Sequence, residues 1–66
     1  MLYYLIGEKG SVYIKEVENA TDRTYQELKN QGFILHGVFG RLDYATIWKD
    51  FYNGKINRKE LKTKLN

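Results

Sequence analysis

His36 and Ser11 are the only histidine and the only serine in this 66-residue chain. Nucleophilic catalysis needs a hydroxyl or thiol beside an oriented base. Ser11 follows a glycine-flanked turn, while His36 alternates with Ile34 and Val38 in an apolar run, so the two have no motif in common, and no paired carboxylates stand near the histidine. A lone His in that setting is expected to be a structural residue on a sheet face rather than a general base. Cysteine is absent, which removes thiolate chemistry, disulfides and Cys-based zinc. Gly32, Gly37 and Gly40 do not form a phosphate-binding fingerprint, because no Lys-Ser/Thr pair follows them. Gly40-Arg41 ahead of a helix offers at most an N-terminus for an anion. No enzyme, no cofactor and no metal are expected.

The chemistry that the residue types do favour is non-covalent. Ten rings (six Tyr, three Phe and one Trp) occur in the chain. A domain this small hides only about 60% of the surface its unfolded chain exposes, so several rings are expected at the surface, where Tyr and Trp serve as binding anchors. Charge is also uneven. From Lys55 onward there are five bases, Lys55, Arg58, Lys59, Lys62 and Lys64, against Glu60 alone, whereas the preceding residues carry six bases and seven acids. Such asymmetry points to an anionic partner, although a solvated lysine face gives the same pattern.

Two binding readings follow. In the first, the chain is a small non-enzymatic protein-binding module, an adaptor or inhibitor. Tyr3, Tyr13 and Tyr52 are its anchors, and Arg41, Lys55, Arg58, Lys59 and Lys62 provide charge complementarity. In the second, it binds nucleic acid, with Tyr3, Tyr13 and His36 stacking on bases and the same five basic residues on phosphates.

The elements that must position these residues are legible from pattern. Leu2 to Ile6 and Val12 to Val17 are rich in aromatic and β-branched residues around Gly7-Glu8-Lys9-Gly10, which predicts a β-hairpin. Val12 and Ile14 share one face of the second strand and Tyr13, Lys15 and Val17 the other, and its charges suit a sheet edge. Thr21 to Gln31 predicts a short helix, with Thr21 or Thr24 as N-cap, Glu27 at capping-box spacing from Thr24, and Gly32 as its stop. Tyr25 and Leu28 are its apolar stripe. Phe33 to Phe39 predicts a third strand, covered on both faces or central, that returns beside the first to give the order 2-1-3.

Tyr44, Ile47, Trp48, Phe51 and Tyr52 then recur at helical spacing and should form one helical face that covers the sheet or a partner. Asn53-Gly54 ends that helix. Asn57 caps a last one with Glu60 in the third position and Ile56 and Leu61 as a hydrophobic staple, while Leu61 and Leu65 form its apolar side. The expectation is a single α+β domain over residues 1–66, β-β-α-β followed by a helical hairpin with a basic outer surface.

Gly54, Ile56, Asn57, Glu60, Leu61, Lys64 and Leu65 stand where the short C-terminal helical hairpin known as SHOCT carries Gly, Ile, a capping residue, Glu, an apolar residue and a Lys-Leu ending. Residues 42–66 resemble that module, and the resemblance implies an interaction or self-association role for this end, so a homodimer is one expected state. The run from Gly54 to Leu61 also resembles the second half of an EF-hand loop. Counting back, however, puts Lys49 and Phe51 where calcium needs oxygen ligands, so calcium is not expected. The longest apolar run, Leu2 to Ile6, is too short for a membrane span or a signal-peptide core. A soluble cytoplasmic protein without membrane contact is the expectation. Its Lys-, Asn-, Ile- and Tyr-rich composition without proline suits a small accessory gene of an AT-rich bacterium or phage.

Overall fold

Lys9 and Gly10 both take positive φ, 51° and 85°. That pair of left-handed residues is the two-residue turn whose twist matches antiparallel strands. It joins β1 (Leu2–Glu8) to β2 (Ser11–Val17) in a computed structural model that describes residues 1–18 and 21–66. The hairpin is longer than the apolar runs alone suggest, because the turn uses only its two central residues and leaves Glu8 paired with Ser11. Opposite Gly7 lies Val12, opposite Leu5 lies Ile14, and opposite Tyr4 lies Lys15. Since side chains alternate, Tyr3, Leu5 and Gly7 share a face with Val12 and Ile14, and Tyr4 and Ile6 share the other with Tyr13 and Lys15.

The connection out of β2 leads into α1 (Asp22–Asn30), where Thr21 is the N-cap and its side chain accepts from the Thr24 N–H. Of the two threonines that could cap, Thr21 does so. Glu27 is therefore inside the helix, where it accepts from the Arg23 guanidinium one turn back instead of completing a box with Thr24. Gln31 closes the helix and Gly32 turns the chain with a φ of 93°.

β3 (Ile34–Phe39) then pairs antiparallel with β1, so the sheet order is β2-β1-β3. This is the 2-1-3 order, with β3 parallel to β2. β3 is not central, and its cover is partial on both faces. It is an edge strand in which Ile34 is 65% and Val38 45% exposed. Ile34 pairs with Gly7 and so lies on the Leu5 face, whereas Val38 pairs with Tyr4 on the opposite face, where Leu28 is the one α1 residue in the buried cluster with Tyr4 and Ile6. Neither helix reaches fully over this edge. The pairing also slips by one residue, from Leu5 opposite Gly37 to Ile6 opposite Leu35. His36 is left as the extra residue of a β-bulge.

The other face is covered better. α2 (Leu42–Tyr52) lies against all three strands, with Leu5 and Ala45 both 0% exposed where helix and sheet meet. The sheet takes only the middle of the five-residue stripe: Ile47, Trp48 and Phe51 are half-buried, but Tyr44 and Tyr52 at its ends are exposed. Ala45, outside that stripe, takes the closest approach because its methyl lets the helix backbone come near the strands. Asn53 and Gly54, with a φ of 77° at the glycine, end α2.

α3 (Arg58–Leu65) starts at a full capping box. The Glu60 N–H donates to Asn57 Oδ1 at 2.8 Å and the Asn57 N–H donates to Glu60 Oε1 at 3.4 Å. Leu61 anchors α3 against α2, its one helical neighbour, and the bases Arg58, Lys59, Lys62 and Lys64 face outward. The Cα trace measures 35 × 25 × 12 Å. No helix among the described residues is long and apolar enough to cross a membrane.

Candidate protein-interaction surface

Gly7 has no side chain in a strand that is otherwise large and apolar, and the vacancy is used. An added Cβ there would lie 2.6 Å from His36 Nε2, so the imidazole rests where a side chain of β1 would be. The bulge makes this possible by turning the extra residue of β3 across the sheet rather than along it. On its other side the imidazole meets the Tyr52 ring, with centroids 4.9 Å apart and planes tilted by 40°. Tyr52 continues the ring contacts to Trp48 and Phe51, each with centroids about 6 Å away. A chain of rings thus runs from the helix end to the bulged strand.

This wall borders an open hollow of about 320 Å³ whose far side is the hairpin turn, Glu8 to Ser11. A second hollow of about 270 Å³ lies between α1 and β3, lined by Tyr25, Leu28, Lys29 and Phe33. Ile34 lines both. It is a ridge of exposed aliphatic surface with a ring-walled depression on either side. Hollows of this size accept a partner's side chain, and large apolar residues between pockets are where binding energy concentrates. β3 carries no charged residue from Ile34 to Phe39, so no charged side chain on the ridge resists desolvation.

The residues singled out from sequence do not gather at one place. Tyr52 belongs to the ring wall and is 43% exposed. Tyr13 is 40% exposed on the opposite face from Tyr3, and Tyr3 is half-buried opposite Phe39. Tyr3 and Tyr13 consequently cannot act as one stacking platform. The Tyr13 hydroxyl donates to Glu8 Oε2 at 3.3 Å. Loss of solvent around the ring, followed by the negative Glu8 carboxylate and its acceptance of that hydrogen bond, holds the phenol above its ordinary pKa.

Arg41 is engaged locally. It donates through Nη2 to Asp43 Oδ2 at 2.6 Å and its guanidinium lies 4.7 Å from the Tyr44 ring centroid. Lys55, Arg58, Lys59 and Lys62 are exposed around the α2–α3 turn and α3. None is in an ion pair among the described residues.

Ile34, Tyr25 and the supporting Gly7 were not singled out by composition or motif. The available signal was an uncharged strand with alternating Ile34, His36 and Val38 next to a glycine-containing strand, a pattern that reads equally well as core. No family model, no curated protein and no solved structure matches this chain.

Proposed function

We propose that the chain is a small non-enzymatic protein-binding module that docks its partner on the Ile34 ridge, with Tyr52, His36 and Tyr25 lining the flanking hollows. One observation carries this reading: Ile34 is 65% exposed on an uncharged strand and separates two ring-lined depressions. An aliphatic ridge of this kind gains about 25 cal/mol for each Å² of apolar area that a partner covers. The unpaired bases of α3 support a steering role, since charges at the rim of an interface raise association rates more than affinity. The resemblance of residues 42–66 to an interaction-type helical hairpin agrees with such a role.

The exposed, unpaired α3 bases also support nucleic-acid binding as a second reading. Affinity capture of a partner from bacterial lysate, with and without nuclease, separates the two. The protein-binding reading expects one protein near stoichiometry in both arms. A profile that collapses with nuclease, or binding to single-stranded oligonucleotides that weakens steeply with salt, favours nucleic acid instead.

A further inference from the structure

Asn53 closes α2 and reaches back across 41 residues of sequence to the outer edge of β2. The Val12 N–H donates to Asn53 Oδ1 at 2.9 Å, and Asn53 Nδ2 donates to the Val12 carbonyl oxygen at 2.9 Å. A carboxamide is chemically a peptide group, and here it makes with Val12 the two bonds that a neighbouring strand would make. Because the polar groups of Val12 point away from β1, the alternation of antiparallel pairing turns those of Ile14 and Glu16 outward as well. Together the three residues form a regular edge, ready to accept a strand except where Asn53 sits.

We propose that Asn53 is an edge guard that denies β2 to a second copy of this chain. The register of self-pairing explains why one residue suffices. An antiparallel pair of β2 strands with Lys15 opposite its own counterpart sets like charges against each other, which is unfavourable. The register with Ile14 opposite its counterpart avoids this and sets Tyr13 against Lys15 of the second copy. In that register Val12 of each copy must exchange hydrogen bonds with Glu16 of the other. Asn53 holds the Val12 groups, so both ends of the seam between the two β2 strands are closed at once. Exposed regular edges are templates for pairing unless blocked, and the block here belongs to the α2 C-terminus rather than to the strand.

Sedimentation velocity over a range of concentrations tests the guard. Asn53→Ala is expected to raise the mass from the wild-type value towards twice that value. The double variant Asn53→Ala with Glu16→Pro is expected to return to the wild-type value, because proline removes an outward N–H without touching the ladder to β1. A mass for folded Asn53→Ala equal to wild type overturns the proposal, as does a rise that Glu16→Pro fails to reverse. Should Asn53→Ala not fold, amide exchange in the wild type decides. Slow exchange at Val12 with fast exchange at Ile14 and Glu16 is expected, and fast exchange at all three overturns it.

Discussion

The two edges of this sheet are closed to added strands by different means, and the difference is the basis of the proposed binding surface. β2 is regular in its backbone, carries Lys15 and Glu16, and has Asn53 seated on Val12. β3 is irregular and uncharged. Tyr4 and Ile6 direct their polar groups toward β2, so their partners Val38 and Leu35 direct theirs outward. The His36 bulge places those two residues three apart, where a regular partner strand needs a spacing of two. Strand addition is thus discouraged on both sides, but β2 exposes Tyr13, whose hydroxyl is bonded to Glu8, whereas β3 keeps the aliphatic Ile34 and Val38 in solvent. An edge can be safe against strand addition and still be sticky, and this one offers side chains rather than backbone.

That contrast can be broken or sharpened by substitution. The largest effect belongs to the strand between the edges. Leu5 is fully buried against α2, and Leu5→Ala should cost about 2–5 kcal/mol in chemical denaturation. A cost below about 1 kcal/mol would mean that the α2 face is not the main support of the sheet.

Gly7→Ala is next. The new methyl meets His36 Nε2 at 2.6 Å and Cδ2 at 3.1 Å, so the imidazole must leave Tyr52. The expected readout is loss of the Tyr52 ring-current shift on the His36 protons, together with weaker partner binding. Unchanged His36 shifts would mean that the ring wall does not depend on the vacancy at Gly7.

The sequence told much about elements and little about the surface they make. The hairpin around Gly7 to Gly10 and the Asn57–Glu60 capping box follow from residues within a few positions of one another, and the strand order follows from the length of the connection between β2 and β3. All three were legible, although the turn itself is the shorter Lys9-Gly10 pair. The Asn53–Val12 clamp was not, because a helix-ending Asn-Gly looks the same whether or not its amide reaches a strand 41 residues away. The bulge at His36 was equally hidden, since Ile34 to Phe39 is apolar whether it pairs evenly or slips. The exposure of β3 turns on how far the two helices reach over the edge of the sheet, and periodicity identifies an apolar face without showing how much of its neighbour it hides. Ala45 shows the converse: a small side chain outside the aromatic stripe took the deepest position because closeness, not bulk, was needed there.

Smaller effects refine the comparison. Ile34→Ala should change stability by no more than about 0.5 kcal/mol, as expected for an exposed position, while weakening partner binding. A large loss of stability would return Ile34 to the core and remove the ridge. At the hairpin, Glu8→Gln takes away the negative charge and the charged acceptor that disfavour the Tyr13 phenolate. The Tyr13 titration, followed by ultraviolet absorbance, should therefore move down toward the ordinary tyrosine range. An upward or absent shift would show that Glu8 is not in contact with the phenol in solution.

The most direct test compares capture by wild type, by Ile34→Glu and by a variant with Arg58, Lys59 and Lys62 all changed to glutamate, each nuclease-treated and checked for folding by circular dichroism. A buried, unpaired carboxylate on the ridge is costly to bind against, so the partner held by wild type should be lost with Ile34→Glu and still captured, though bound more slowly, with the α3 variant. Full retention by folded Ile34→Glu, with loss in the α3 variant, would contradict the account and transfer the binding surface to the basic helix.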